Sequence, residues 1–358
     1  MHRWVAQDFR YVSISLGVGG YQPRPPAAVF ETRYGDCKDK ATLMRAMLKA
    51  VKLDSYAVLI YSGDRTRVRD EWVSPGQFNH CILAVRVSDE TKAPSVVQHP
   101  TLGRLLVFDA TDSTTPVGDL PGHEQGSYAL VAAGADGALL RMPVTSPEAN
   151  MVRNEVEAGI AADGSLTATL RESLEGQSAA RARRAFKGLG PSDYASAVER
   201  WVSWGATGAK FDRIDPKDAH AEGRFTLDVA ITAAHYGQSM QDRLLVFKPA
   251  IFSRGATVVL SGATRKYPVV LESEAFTETV HFKLPAGFDV DELPDPVKVD
   301  SDFGSYTASY EVKDGQLLYT RQLVQRATTV PAEKYAEVRA FYGRVRASEE
   351  SPVVLARK

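Results

Sequence analysis

Three residue types that together can carry out acyl transfer occur in order along this chain: Cys37, His80 and Asp109. A cysteine thiolate attacks a carbonyl carbon, a histidine exchanges the proton, and a carboxylate orients the histidine. Taken singly none of the three is informative, because cysteine is often simply buried and aspartate favours strand ends. The local sequence around each residue therefore decides whether the three side chains can meet.

Cys37 is predicted to lie at the start of a helix that runs to about Lys52. Asp36 is a favourable N-cap residue, Asp39 falls in the first turn, and Lys49 lies near the far end. Small or apolar side chains share one helical face, at Cys37, Ala41, Met44, Leu48 and Val51. Since a helix N-terminus carries roughly half a positive charge, a thiol at this position is biased toward thiolate.

His80 and Asp109 lie on two separate strand patterns. The segment 77–87 predicts a strand with His80 near its start, and the segment 105–112 predicts a second strand that holds Asp109. Strand alternation places Cys81 on the face opposite His80, so we expect Cys81 to be buried and to face away from Cys37. This expectation argues against a disulfide between the two cysteines.

The sequences around the three residues resemble those of the transglutaminase-like (papain-like) superfamily. The resemblance is carried by Tyr34-Gly35-Asp36-Cys37-Lys38-Asp39-Lys40, by Phe78-Asn79-His80 and by Phe108-Asp109-Ala110-Thr111-Asp112. The flanking segments also resemble those of large bacterial proteins in which this core follows a β-sandwich domain of unknown function. These segments are Arg24-Pro25-Pro26, Val29-Phe30 and Val117-Gly118-Asp119-Leu120-Pro121. The resemblance covers about residues 8–132.

That resemblance implies an α+β core, with the cysteine helix packed against an antiparallel sheet that carries the histidine. It implies that Cys37, His80 and Asp109 act as nucleophile, proton carrier and orienting carboxylate through a thioester intermediate. The oxyanion would be held by the Cys37 backbone N–H and one side-chain donor, for which Tyr11 and Gln22 are the candidates. The interpretation we favour is hydrolysis of peptide or protein amides by a peptidase or amidase.

Two other functions remain open at this point. With a lysine amine in place of water as acceptor, the same thioester chemistry is that of a protein-glutamine transglutaminase. A non-catalytic binding or structural module on a transglutaminase-like scaffold is the third interpretation. Such modules typically lose the cysteine or the histidine, whereas this chain has all three residue types.

Other kinds of site have weak support in the sequence. The seven histidines are scattered, and neither H-E-x-x-H nor C-x-x-C occurs, so no metal site is predicted despite the neighbouring His123 and Glu124. The chain lacks a G-x-S-x-G elbow, and its Gly17-Val18-Gly19-Gly20 cluster lacks the spacing of a dinucleotide-binding loop. We therefore expect no cofactor.

Composition and charge limit the partners of the protein. A net charge of −1 gives no reason to expect nucleic acid as a partner, and no apolar run is long enough to predict a membrane span. The first residues predict no signal peptide. In the resembled proteins this position lies after an N-terminal sandwich domain, so we expect the chain to be a shortened version whose full-length form could be periplasmic or extracellular. The sequence does not indicate an oligomeric state.

Three domains are predicted from changes in pattern along the chain. Residues 1–148 form the catalytic core, residues 149–262 a β-rich domain with a helical insert, and residues 263–358 a β-sandwich-like module ending in a helix. Two alternating strands around Asp163-Gly164 begin the second domain. The C-terminal region also resembles the sandwich that follows such cores, through short patterns only.

Overall fold

In the computed structural model of this mixed α/β protein, strands make up most of the regular structure. The structure describes residues 1–14, 16–72, 74–252 and 260–358. These residues form two compact units, Met1–Thr145 and Ser146–Lys358, which are described separately below. Within the described residues, no helix is long and apolar enough to cross a membrane.

The first unit contains three helices and eight strands. The helices are α1 (His2–Asp8), α2 (Pro26–Thr32) and α3 (Cys37–Ala50). The strands are β1 (Arg10–Tyr11), β2 (Tyr34–Gly35), β3 (Ser55–Ile60), β4 (His80–Arg86), β5 (Val96–His99), β6 (Gly103–Phe108), β7 (Tyr128–Ala132) and β8 (Ala138–Arg141).

An antiparallel sheet of six strands, in the order β5-β6-β4-β3-β7-β8, forms the centre of this unit. Strand β4 lies between β3 and β6, and five of its seven residues are buried. Its alternate side chains enter two apolar clusters, because successive residues of a strand point to opposite faces. Leu83 and Val85 pack with Met44 and Leu48 of α3, whereas Ile82 and Ala84 pack on the other face.

The helix α3 begins at Cys37 and is stabilised at its start by the N-cap residue that the sequence predicts. Asp36 is the N-cap residue, and it shares a reciprocal capping box with Asp39. The helix ends at Ala50, two residues before the predicted end, and Val51 is half-exposed although the pattern assigned it to the buried face. The buried stripe of α3 instead ends at Leu48.

Three helices and fourteen strands make up the second unit. The helices are α4 (Gly176–Gly188), α5 (Pro191–Ser203) and α6 (Tyr335–Glu350). The strands are β9 (Met151–Ile160), β10 (Leu166–Glu175), β11 (Lys210–Ala219), β12 (Arg224–Ala233), β13 (Gln238–Met240), β14 (Leu244–Phe247), β15 (Val269–Leu271), β16 (Glu274–Lys283), β17 (Phe288–Glu292), β18 (Val297–Ser301), β19 (Gly304–Lys313), β20 (Gln316–Gln325), β21 (Thr328–Val330) and β22 (Val353–Arg357).

One eight-stranded sheet dominates this unit, in the order β11-β12-β10-β9-β16-β20-β19-β18. Its only parallel neighbours among the described strands are β9 and β16. A four-stranded sheet, β13-β14-β22-β17, shares one apolar cluster with it, and the rings of Phe247 and Phe282 lie 5.0 Å apart across that cluster. The two predicted β domains, 149–262 and 263–358, thus contribute strands to the same sheet, because β9 pairs with β16.

Candidate functional site

Cys37 is the first residue of α3, and the loop before it is held by charged side chains. Both oxygens of Asp39 accept hydrogen bonds from Arg24, at 2.8 Å from its backbone N–H and 3.0 Å from its Nε. The Asp39 N–H donates to Asp36 at 3.1 Å, which completes the helix cap. The thiol therefore has a fixed position beside the N–H groups of the first helical turn, which favour a negative charge.

The Cys37 thiol and the His80 imidazole lie close enough for each to shift the pKa of the other. His80 Nε2 donates to Asp109 Oδ2 at 3.1 Å. Burial alone would lower the pKa of His80, but its interactions with Asp109 and Cys37 outweigh burial and raise that pKa to about 11. Burial would likewise raise the pKa of Cys37, yet the interaction with His80 lowers it. The pair therefore favours thiolate and imidazolium.

Asp109 follows β6 directly and is buried. Its Oδ1 accepts from the Thr111 N–H at 2.7 Å, and the Thr111 hydroxyl donates at 2.8 Å. Burial opposes ionisation of Asp109, but the hydrogen bonds from His80 and Thr111 prevail and lower its pKa. This carboxylate is thus ionised and held in place, as an orienting group requires.

Tyr11 is brought to Cys37, whereas no described contact joins Gln22 to Cys37. Strand β1 runs parallel to β2, and the Val12 N–H donates to the Gly35 carbonyl at 3.1 Å. The Tyr11 hydroxyl then lies near Cys37, whose side chain and backbone both affect the Tyr11 pKa. Burial and the neighbouring Cys37 raise the pKa of Tyr11 to about 12, so the hydroxyl keeps its proton at neutral pH.

Cys81 differs from the expectation that it faces away from Cys37. It packs in the same apolar cluster as α3, because α3 covers the face of β4 that carries Leu83 and Val85. Both cysteines are free thiols. The Cys81 backbone helps to lower the pKa of Cys37, while burial raises the pKa of the Cys81 thiol to about 12. Only Cys37 therefore has the surroundings of a reactive thiol.

Glu124 is a further acid at this site that sequence reasoning did not select. Its side chain is fully buried, and its Oε1 lies 3.5 Å from His80 Nε2. Side-chain ligand atoms of His80, Asp109 and Glu124 lie within 4.8 Å of one another, so the imidazole and the two carboxyl groups form one compact cluster. In the sequence, Glu124 follows His123 in a turn between strands, where an acid is normally solvated, so nothing marked it as buried.

Two basic residues complete the surroundings of Asp109. His2 Nε2 donates to the Asp109 carbonyl oxygen at 2.7 Å, and the ring of His2 packs edge-on against Phe108. Lys40, one turn after Cys37, is buried, and its Nζ donates to the Ala6 carbonyl at 3.5 Å. Burial lowers the pKa of Lys40, whereas the charge of Asp109 opposes that shift.

Comparisons with known proteins concern mainly the fold. Residues 242–355 match DUF3858, a domain of unknown function for which a structure has been solved. This match lies within the second unit and contains none of the residues around Cys37. No curated protein matches the chain.

One solved structure, from Parabacteroides distasonis, is described as a "putative protease" and resembles nearly the whole of this chain. The two are 12% identical, with a TM-score of 0.53 over 98% of this chain and 50% of the other. At this identity the likeness concerns the fold alone. The present chain spans about half the length of that protein.

Proposed function

We propose that this protein is a cysteine-dependent acyl-transfer enzyme that hydrolyses peptide or protein amides, on a transglutaminase-like core. The hydrogen bond of 3.1 Å from His80 to Asp109, together with the effect by which His80 lowers the pKa of Cys37, is the observation that carries the proposal. The three groups are linked in the order that nucleophile, proton carrier and orienting carboxylate require. The name of the structural neighbour is compatible with a peptidase.

The reaction begins with the Cys37 thiolate and the His80 imidazolium already formed. The sulfur attacks the amide carbonyl carbon, and the carbonyl oxygen becomes an oxyanion that accepts from the Cys37 N–H and the Tyr11 hydroxyl. His80 donates its proton to the amine nitrogen as the carbon–nitrogen bond breaks, which leaves a thioester on Cys37. His80 then takes a proton from water as the water oxygen adds to the thioester carbon, the carbon–sulfur bond breaks to release the acid, and the Cys37 thiolate and His80 imidazolium are restored.

The first test is the rate at which iodoacetamide alkylates Cys37, followed by intact mass between pH 5 and 9. We expect fast alkylation at pH 6 in the wild-type protein, because His80 holds the sulfur as thiolate. In His80→Ala the rate should fall at pH 6 and rise about tenfold per pH unit up to the ordinary thiol pKa of about 8.5. Cys81→Ala is the matched control and should behave as wild type.

Slow alkylation with an ordinary thiol pH profile in both proteins would contradict the proposal, and so would labelling of Cys81 in place of Cys37. A positive result should be followed by peptides offered with and without a primary amine. Release of free acid alone supports hydrolysis, whereas incorporation of the amine at a glutamine side chain would assign transglutaminase activity instead.

A further inference from the structure

Glu124 occupies a rigid position next to the proposed triad. The turn that carries it is fixed by Gln125, whose side chain donates to the Leu120 carbonyl at 2.7 Å and accepts from the Thr145 N–H at 3.0 Å. The Glu124 N–H donates to the Pro121 carbonyl at 2.9 Å. The turn that carries the Glu124 side chain is therefore held by hydrogen bonds of its own backbone and of Gln125.

The charges facing Glu124 do not suit a second carboxylate. Asp109, at the end of β6, and Asp112, three residues further on, both oppose its ionisation, while His80 at the start of β4 favours it. His123 lies on the same turn, with its Nε2 4.0 Å from Glu124 Oε1. His80 is already hydrogen-bonded to Asp109, so one imidazolium would face two buried negative charges. Two carboxylates that share a buried site normally cannot both ionise.

The hydrogen bonding of the two Glu124 carboxyl oxygens also disfavours an ionised carboxylate. Both are fully buried, and neither accepts a hydrogen bond from any residue that the structure describes. A buried carboxylate without donors is strongly unfavourable, because it loses its hydration and gains nothing in exchange. A carboxylic acid in the same place carries its own donor, and an oxygen of the ionised Asp109 lies within 4.8 Å of a Glu124 oxygen.

We propose that Glu124 is a positioning residue of this site, which as a neutral acid donates its O–H to the Asp109 carboxylate and so fixes the group that orients His80. The inference rests on the proposed function, since it assigns a partner to Asp109 within the same triad. Burial and the charge of Asp109 raise the pKa of Glu124 well above its ordinary value, in agreement with a retained proton. Asp109 then holds the single negative charge that pairs with the imidazolium.

Two substitutions test whether Glu124 acts as a neutral hydrogen-bond donor, acts through a negative charge, or has no role at the site. Glu124→Gln keeps the shape of the side chain and supplies an N–H donor without any charge. Glu124→Leu removes the donor and keeps an apolar side chain of similar size. The measurement is the alkylation rate of Cys37 by iodoacetamide from pH 5 to 9, with thermal unfolding followed for each variant.

We expect Glu124→Gln to keep the wild-type pH profile, with rates within about threefold. In Glu124→Leu the ratio of the rates at pH 6 and pH 8.5 should fall roughly ten- to a hundredfold, as the loss of one hydrogen bond to a charged group implies. A merely structural role would lower the unfolding temperature of Glu124→Leu without changing that ratio. Recovery of the ratio by Gln is therefore specific to a donor.

Several results would overturn the inference. A Gln variant that loses the low-pH rate as fully as Leu would show that Glu124 acts through its charge, and an unchanged ratio in Leu would make it a spectator. Zinc that binds the wild-type protein one-to-one and is lost in Glu124→Gln would identify a metal ligand instead. If Cys37 of the wild-type protein has the alkylation pH profile of an ordinary thiol, the proposed function itself fails. That result is distinct from a failure of the Glu124 inference, which appears only in the Glu124 variants.

A second measurement keeps the inference testable even if Glu124→Leu does not fold. The infrared difference spectrum between wild type and Glu124→Gln at pH 7 should contain the carbonyl stretch of a protonated carboxylic acid. A difference spectrum with only carboxylate bands would overturn the inference without any use of the Leu variant.

Discussion

At the scale of single residues, the proposed activity depends on which groups carry charge. Cys37, His80 and Asp109 form a chain in which each side chain changes the pKa of the next. The pKa of His80 is raised by folding. The stability that its imidazolium contributes is therefore present at low pH and is lost as the pH rises through the folded-state pKa. The pKa of Asp109 is lowered, so the stability it contributes is present above its unfolded pKa of about 3.9 and is lost as the pH falls through its folded value.

The substitution Asp109→Asn should remove both effects at once. Without the carboxylate, the pKa of His80 falls, the thiolate of Cys37 loses its partner, and alkylation at pH 6 should slow by about tenfold or more. The acid-dependent part of stability should also weaken, so that urea unfolding between pH 3 and 6 depends less on pH than in wild type. Thr111→Ser, which keeps the hydroxyl donor, is the control and should alter neither profile. An unchanged alkylation rate in Asp109→Asn would remove Asp109 from the proposed triad.

At the scale of elements, the start of α3 is built around a close approach at Gly35. A Cβ atom at this position would lie 2.6 Å from the Asp39 Cβ and 3.3 Å from Arg24 Nη2. Asp39 is the residue that completes the capping box and bonds Arg24. The absence of a side chain at Gly35 thus lets the strand before Cys37 and the first turn of the helix lie against each other.

Gly35→Ala should therefore damage both stability and the reactive thiol. We expect a loss of roughly 2 kcal/mol in the free energy of unfolding, from the weakened cap and the overpacked contact. Because Cys37 follows within two residues, its alkylation at pH 6 should slow as well. Gly19→Ala is a suitable control in the same unit, since nothing lies within 4 Å of the added Cβ. Equal stability of the two variants, measured by denaturant unfolding, would contradict this account.

At the scale of the whole molecule, the second unit is tied together by a buried ion pair. Arg321 of β20 donates from Nε to Glu278 of β16 at 2.8 Å and from Nη2 to the Phe252 carbonyl at 2.7 Å. It also pairs with Glu349 of α6. The side chains of Arg321 and Glu278 are fully buried, so Glu278 depends on Arg321 for its compensating charge.

Arg321→Met should lower the free energy of unfolding by roughly 3–5 kcal/mol, because it leaves Glu278 buried without a compensating charge. The double variant Glu278→Leu with Arg321→Met should recover part of that loss. Arg171→Met breaks the more exposed pair with Asp228 and serves as control, with an expected cost below about 1 kcal/mol. Equal losses for the two arginine variants in urea unfolding would show that burial does not set the strength of the pair.

The sequence predicts the local part of this architecture and fails where distant segments meet. The Asp36 cap and the strands around Asp163-Gly164 depend on neighbouring residues, and the structure confirms both. The orientation of Cys81 depends on which face α3 covers, and the prediction was wrong. Glu124 was missed because its neighbours Asp109 and His80 lie on other segments of the chain. The role of the proposed triad stays a prediction for the experiments above.

The pairing of β9 with β16 has a consequence for how the chain is made. Roughly a hundred residues separate these strands, and at 5–20 residues per second a ribosome needs on the order of ten seconds to supply the second after the first. Until then β9 presents an open edge of unpaired N–H and C=O groups, the kind of surface on which neighbouring chains aggregate. The same edge is exposed on β16 in a fragment limited to residues 242–355, so solubility should improve when 146–241 are included.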